Sequence, residues 1–173
     1  MQLKNNKNSY GYISIVFHWV IAALVIGMFA LGLWMVELDY YSIWYHDAPN
    51  IHKSVGILLM IGMFLRLLWN AFSPKPKALE KSQVLKAIAF SVHLVLYLLV
   101  FLLGLTGYLI STAESQALSV FNGFELPALI EPFVDQADIA GVIHKWLGYI
   151  LIGLVALHAL GALKHHLKIR TTL

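Results

Sequence analysis

The sequence predicts an all-α protein, a four-helix transmembrane bundle that forms a single membrane domain over residues 1–173 with both termini in the cytoplasm. Two observations predict this: the apolar residues are concentrated in long blocks, and charges of opposite sign are separated between the blocks. Of the 173 residues, 60% are hydrophobic and 12% are charged. Soluble domains have about 45–50% apolar and about 25% charged residues, so the composition favours a membrane protein.

The apolar residues form four blocks of helical length. They are Ile13–Val36, Ile51–Phe72, Ala87–Ser111 and Gly141–Leu163. A hydrocarbon core of about 30 Å needs about 20 helical residues, so each block is long enough to cross it. Backbone groups in lipid must be paired within their own segment, which predicts a helix for each block. Val55–Leu65 and Leu94–Leu105 are apolar on all sides, which favours lipid over a soluble helical core.

The segments that flank the blocks complete the predicted order of elements. The first block is too long for the apolar part of a signal peptide and contains His18, so we interpret it as retained. Pro74 ends the second helix. The third and fourth helices are joined by a long periplasmic loop, Thr112–Ile139. We expect its apolar stretches, Leu118–Phe121 and Leu126–Phe133, either to lie at the membrane interface or to cover a site.

The charges predict the orientation of the bundle. Nine of the twelve lysines and arginines lie on the side of the two termini: Lys4, Lys7, Lys75, Lys77, Lys81, Lys86, Lys164, Lys168 and Arg170. Eight of the nine acids lie on the other side: Glu37, Asp39, Asp47, Glu114, Glu125, Glu131, Asp135 and Asp138. Basic loops stay in the cytoplasm, so both termini are predicted there. This asymmetry also accounts for the net charge of +3 without any nucleic-acid partner.

Histidines are the residues most indicative of function. Three of the eight lie in loops or in the C-terminal tail and are expected to be solvated: His46, His165 and His166. The other five lie within or at the edge of the helices: His18, His52, His93, His144 and His158. Ionisable side chains inside a membrane are costly and usually mark a functional site. Five in four helices make a shared function more plausible than five separate structural hydrogen bonds.

Depth in the membrane groups four of these histidines into two pairs. His18 and His158 lie near the cytoplasmic surface, whereas His52 and His144 lie near the periplasmic surface. His144 and His158 are fourteen residues apart, so they project from nearly the same face of one helix, roughly 21 Å apart. One metal ion cannot use both. Two haems with bis-histidine ligation are the simplest chemistry that fits, and the absence of cysteine requires non-covalent haem b.

Three basic residues are candidates for binding the haem carboxylates. Arg66 lies fourteen residues after His52, near the depth of the inner pair, and we favour a propionate contact over a position at the headgroups. Lys53 and Lys145 follow the two outer histidines directly. They either neutralise the carboxylates of the outer haem or extend to the headgroups.

The sequence leaves the role of His93 open. It reaches the depth of the inner pair, where it competes with His18 to face His158. It would otherwise bind a propionate, a quinone, or nothing. Arg66, Trp69 and His93 are the candidates for contact with a quinone.

Glycines recur beside the outer histidines. His52 and His144 both begin the pattern H-K-x-x-G, which ends at Gly56 and Gly148. A glycine one turn from an iron ligand would leave room for the flat macrocycle, although small residues also allow close packing of membrane helices.

These residues together resemble the prokaryotic cytochrome b561 family over nearly the whole chain. The matching motifs are Phe17-His18-Trp19, His52, Arg66-Leu67-Leu68-Trp69, His93-Leu94, Thr106-Gly107-Tyr108, His144-Lys145 and His158. The resemblance implies two b-type haems in a bacterial inner membrane, His18 with His158 holding the inner haem and His52 with His144 the outer one. It leaves His93 beside a ligand or near the quinone. The chain has Ser9 and Asn70 where the family leads us to expect basic residues.

The resemblance also implies an activity. Some members are similar to superoxide oxidases, which oxidise superoxide outside the membrane and reduce ubiquinone within it. The alternative is an electron-transfer subunit that serves a periplasmic redox partner docked on the acidic loop 112–139. A transporter with histidine proton relays is disfavoured, since the four blocks contain no Asp or Glu.

Overall fold

The computed structural model describes residues 2–77, 82–121 and 123–171, with side chains through residue 164. Its elements are α1 (Tyr12–Met35), α2 (Asp47–Phe72), α3 (Gln83–Ser111), β1 (Leu118–Val120), β2 (Phe124–Leu126) and α4 (Gln136–Thr171). Five residues that entered the charge and histidine predictions lie outside this description, four of them by their side chains only: Lys81, His165, His166, Lys168 and Arg170.

All four helices are long and apolar enough to cross a membrane. The spans contain 24, 26, 29 and 29 residues, the last being Gln136–Lys164. Few of their residues are buried inside the bundle, and many large apolar side chains face outward. Such a surface is unfavourable in water but suits lipid. The predicted fold class, a four-helix membrane bundle, is confirmed, and the chain is a multi-pass membrane protein.

All four helices begin before the points at which their apolar blocks begin, α1 by one residue and the others by four or five. Helix α2 starts at Asp47, four residues early, and Pro49 lies in its first turn, where the missing N–H costs no helical hydrogen bond. Ser82 caps α3 by accepting a hydrogen bond from the Leu85 amide. Helix α4 starts at Gln136 and also continues past its apolar block. Hydropathy marks only the part of a helix that lies in lipid, so polar turns at the ends are missed.

The bundle consists of two closely packed helix pairs. Helix α1 packs mainly on α2, and α3 packs mainly on α4, whereas α1 and α4 touch each other only slightly. The buried core contains residues from all four helices: Ile21, Val25, Leu59, Met63, Leu99, Val100 and Leu151. These residues lie halfway along the helices and separate the inner from the outer histidines. The slight contact between α1 and α4 leaves the histidines on α4 facing the other pair across a gap.

The outer loop is fastened to the bundle. Strands β1 and β2 form an antiparallel hairpin that packs on α2, and the Phe121 amide donates to Ser54 Oγ (2.9 Å). Further along, the Tyr108 hydroxyl donates to Pro127 O (2.8 Å) and accepts from the Leu129 amide (2.7 Å). The first apolar stretch of this loop, Leu118–Phe121, therefore packs on the N-terminal part of α2.

Candidate functional site

The outer histidines face each other across the bundle. His52 on α2 and His144 on α4 have ring centroids 6.2 Å apart, with the planes inclined by 69°. A glycine backs each ring: a Cβ at Gly32 on α1 would lie 3.3 Å from His52 Cε1, and one at Gly107 on α3 would lie 3.5 Å from His144 Cε1. Both rings therefore rest against the backbone of a neighbouring helix with no side chain in between.

Thr106 fixes the orientation of His144. Its Oγ1 lies 2.9 Å from His144 Nδ1, and its hydroxyl also lies 2.9 Å from Leu102 O. Because the hydroxyl proton goes to the carbonyl, Oγ1 accepts from the Nδ1–H group, which leaves Nε2 as the unprotonated nitrogen. The matching Nδ1 of His52 is buried and has no hydrogen-bond partner among the described residues.

Three histidines meet at the inner end of the bundle. His18 on α1 and His158 on α4 have ring centroids 6.4 Å apart, at an angle of 68°. His93 on α3 approaches from another side, with its centroid 5.1 Å from that of His158. The structure thus brings together both histidines that the sequence offered as partners of His158, at different distances.

Arg66 lies beside the inner histidines, at the depth that the sequence predicted. Its Nη2 is 3.3 Å from His18 Nδ1, and its Cζ lies 5.6 Å from the centre of the Tyr97 ring. The Tyr97 hydroxyl in turn accepts a hydrogen bond from Asn70 Nδ2 (3.0 Å). Within the described residues no carboxylate pairs with the Arg66 guanidinium. A partly buried cation without a counter-ion is costly, so the site suits an anionic ligand group.

The two lysines of the outer site are also without acidic partners. Lys53 is partly buried and Lys145 is exposed, and each follows an outer histidine in the chain. Neither forms an ion pair in the part of the chain that the structure describes. Both ammonium groups therefore contribute uncompensated positive charge near the outer pair.

An apolar groove opens between α1 and α2 at the inner end. It is lined by Phe17, Leu65, Leu68, Trp69 and Phe72. Phe17 precedes His18, and Trp69 follows Arg66 by nearly one helical turn, so the groove adjoins the inner histidines. Trp69, a candidate for contact with a quinone, thus forms part of a surface that an apolar ligand can reach from the lipid.

The glycines that touch the histidines differ from those that the H-K-x-x-G pattern indicated. Gly56 faces the Met28 side chain, at 3.6 Å from a built Cβ, and Gly148 faces Phe29 at 3.8 Å. Gly32 and Gly107 were not identified as neighbours of the rings because they lie on other helices. The spacing along the chain does indicate these two glycines. Gly32 follows His18 by fourteen residues and Gly107 follows His93 by fourteen, which equals the separation of His144 from His158. Each helix thus has a small or functional residue at both depths.

Comparison with known proteins agrees with this architecture. The family model described as "Prokaryotic cytochrome b561" matches residues 9–173. The chain is 50% identical over 167 residues to "Cytochrome b561 homolog 2" of Escherichia coli (strain K12), covering 96% of this chain and 89% of that protein. It is 30% identical over 159 residues to the Yersinia pestis protein named "Probable superoxide oxidase CybB", covering 91% and 88%. The chain therefore belongs to the prokaryotic cytochrome b561 family of membrane electron-transfer proteins.

Proposed function

We propose that this chain is a di-haem membrane cytochrome that oxidises superoxide at the outer surface and reduces ubiquinone within the membrane. Membership in the family implies b-type haem, and the Yersinia pestis relative is named as a superoxide oxidase. The observation that carries the proposal is the separation of the rings in the two histidine pairs, 6.2 and 6.4 Å.

Those separations fit a metal ion held between two imidazoles. An imidazole nitrogen binds a transition metal at about 2.0 Å, and its ring centroid lies about 1.1 Å further away. Two imidazoles on opposite sides of one iron therefore have centroids roughly 6.3 Å apart. The 5.1 Å between His93 and His158 is too short for this arrangement. The distances thus favour His18 with His158 and His52 with His144 as the residues that would hold the two irons, and His93 as a neighbour of the inner site.

The hydrogen bonds of the outer pair also favour metal binding. Thr106 holds His144 with Nε2 unprotonated, which is the state that an iron ligand requires. The buried Nδ1 of His52 has no hydrogen-bond partner among the described residues, which is unfavourable. A ligand that binds this ring and moves it toward His144 would give the nitrogen new surroundings. Gly32 and Gly107 let both rings sit back against the helices, so that space remains between them.

Arg66 is expected to change partner when the inner site binds its cofactor. A guanidinium group can only donate, so its present contact makes His18 Nδ1 an acceptor. Ligation through Nε2 requires the proton to lie on Nδ1, so Arg66 must release this atom. A propionate carboxylate is a stronger acceptor for arginine than a neutral imidazole and would hold the side chain in its new position.

Bound haems would supply a one-electron carrier near each membrane surface. At the outer end, Lys53 and Lys145 provide a local positive field for an anion, although the acidic loops oppose superoxide at longer range. Two superoxide anions each lose one electron and leave as dioxygen. Ubiquinone takes up these two electrons and two protons and becomes ubiquinol. At the inner end, Arg66, Trp69 and His93 are the residues that we assign to quinone contact.

The test is a haem count and an electron-transfer assay on purified protein in detergent. We expect two b-type haems per chain, reduced by superoxide and reoxidised by added ubiquinone-1. His52→Ala and His158→Ala should each retain about one haem, whereas His46→Ala, which alters an exposed loop histidine, should retain two. A wild-type protein that binds no haem would contradict the whole proposal.

A second candidate function is an electron-transfer subunit for a separate periplasmic redox protein. The observation that favours it is the outer loop, where acidic residues accompany exposed apolar side chains such as Phe121, Phe124 and Val134. Acidic charge around an apolar patch suits a basic protein partner. Two haems that superoxide does not reduce, but that a basic periplasmic electron carrier does reduce, would favour this candidate.

A further inference from the structure

The segment before α1 folds back onto the first turn of that helix. The amides of Tyr12 and Ile13 donate to Gln2 O (3.0 Å) and Leu3 O (3.3 Å). A Cβ at Gly11 would overlap the backbone of Lys4, so only glycine allows this close approach. Residues 2–11, which we call the N-terminal segment, thereby satisfy backbone donors that a helix start leaves without partners.

Asn5 is the buried centre of the N-terminal segment. The residue is only 8% exposed, and its Oδ1 accepts hydrogen bonds from the Gly11 amide (2.8 Å) and from the Ser14 hydroxyl (2.7 Å). A buried polar group is retained at little cost only when its partners are fixed. Asn5 therefore orients the Ser14 hydroxyl and determines where its free lone pairs point.

The Ser14 hydroxyl continues this chain of hydrogen bonds to the inner site. Trp69 Nε1 on α2 donates to Ser14 Oγ at 2.8 Å. Because the serine proton goes to Asn5, Oγ is a polarised acceptor and the bond to the indole is strengthened. The hydrogen bonds that join Asn5 to Ser14 and Ser14 to Trp69 thus connect the N-terminal segment to one wall of the apolar groove. This groove adjoins Arg66 and His18.

We propose that Asn5 and Ser14 are positioning residues that hold the Trp69 indole in the orientation required for quinone binding. This inference rests on the proposed function, because it assigns the groove beside the inner histidines to ubiquinone. The indole N–H is occupied by Ser14, so Trp69 offers the groove an aromatic surface without a free hydrogen-bond donor. A flat apolar ring that stacks on the indole is the kind of ligand that such a wall favours.

Kinetics of ubiquinone-1 reduction by the haem-loaded protein test the inference. Ser14→Ala removes the acceptor, and Trp69→Phe removes the N–H donor but keeps an aromatic ring. Each should raise KM for ubiquinone-1 by roughly fivefold, the equivalent of one neutral hydrogen bond, while the haem count stays unchanged. In Ser14→Ala, kcat should also stay unchanged. Ser14→Thr keeps the hydroxyl and should restore the wild-type KM. Ser91→Ala is the matched control, since Ser91 is exposed near the inner end of α3 and its side chain has no hydrogen bond to any residue that the structure describes.

The double variant makes the test specific for the pair. If Ser14 acts through Trp69, then Ser14→Ala combined with Trp69→Phe raises KM no further than either change alone. Equal KM values for wild type and all variants would overturn the inference and leave the proposed function intact. Loss of haem in Ser14→Ala would also overturn it, since the bond would then only hold the fold. A wild-type protein that loads two haems but reduces no ubiquinone-1 would overturn the proposed acceptor and this inference together.

Discussion

At the residue scale, the orientation of His144 depends on a hydroxyl on the neighbouring helix α3. Thr106 accepts from His144 Nδ1 and donates to the backbone of its own helix. A hydrogen-bond acceptor at the ring nitrogen that does not bind the metal sets both the tautomer and the orientation of a metal-binding histidine. Thr106 therefore decides which imidazole nitrogen of His144 is available toward His52.

We expect Thr106→Val to weaken haem binding at the outer site by about 10–100-fold, because valine keeps the shape of threonine but cannot accept from Nδ1–H. The measurement is the rate of haem transfer from the purified protein to excess apomyoglobin. One of the two kinetic phases should accelerate. Thr106→Ser, which retains the hydroxyl, should transfer haem at the wild-type rate. Equal rates in the valine and serine variants would exclude a role for the hydrogen bond.

His93 and His158 are neighbours, yet we expect them to respond differently to substitution. The 5.1 Å between their rings is too short for two imidazoles on opposite sides of one iron, and His93 is exposed whereas His158 is partly buried. His93→Ala should therefore keep two haems per chain and slow the reduction of ubiquinone. Haem content from the pyridine haemochrome spectrum and steady-state quinone reduction give both readouts. If the variant retained only one haem, the result would indicate instead that His93 is an iron ligand.

At the element scale, the contact between α2 and α3 depends on Gly104. A Cβ built at this glycine would overlap the side chain of Met60 on α2. The absence of a side chain thus allows the two helices to approach closely, as small residues commonly do in membrane bundles. This contact is one of those that join the two closely packed helix pairs.

Gly104→Val should lower the free energy of unfolding by about 1–3 kcal/mol, because the branched side chain overpacks a filled contact. The check is the thermal midpoint of the haem-loaded protein in detergent. Gly153→Val is the matched control on α4: a built Cβ there meets no atom within 4 Å, and Gly153 is exposed. Position 153 also lies half a turn away from the face of His144, so the control leaves the surroundings of His144 unaltered. Similar midpoints for the two variants would contradict the packing argument.

Some elements were predictable from sequence and others were not, for physical reasons. The four helices follow from apolar length, and the meeting of His18 with His158 and of His52 with His144 follows from equal depth in the membrane. The loop hairpin and the N-terminal segment depend on contacts such as that of Phe121 with Ser54. Hydropathy contains no information on such contacts. The supporting glycines were missed because their role depends on which helices are neighbours.

At the scale of the whole molecule, the arrangement is a bundle of two helix pairs with histidines at two depths. The mid-bundle core, which contains Leu59 and Leu151, fills the space between these depths. An apolar layer between the two sites would exclude water and keep each cofactor close to its own membrane surface. The same layer explains why α4 has two histidines fourteen residues apart and only apolar or small residues between their depths on that face.

The direction of electron transfer through such a molecule depends on its orientation in the membrane, and the orientation is a prediction from charge. Nine basic residues lie at the end of the bundle that holds the two termini, whereas eight acids lie at the opposite end, so both termini should lie in the cytoplasm. Fusion of a fluorescent protein that folds only in the cytoplasm to the C-terminus should give fluorescent cells. Alkaline phosphatase, which is active only in the periplasm, should be active when inserted at the exposed turn residue Gly123 and inactive at the C-terminus. Active phosphatase at the C-terminus would show that the bundle has the opposite orientation. His52 and His144, with their two lysines, would then lie on the cytoplasmic side, where they could not meet superoxide from outside the cell.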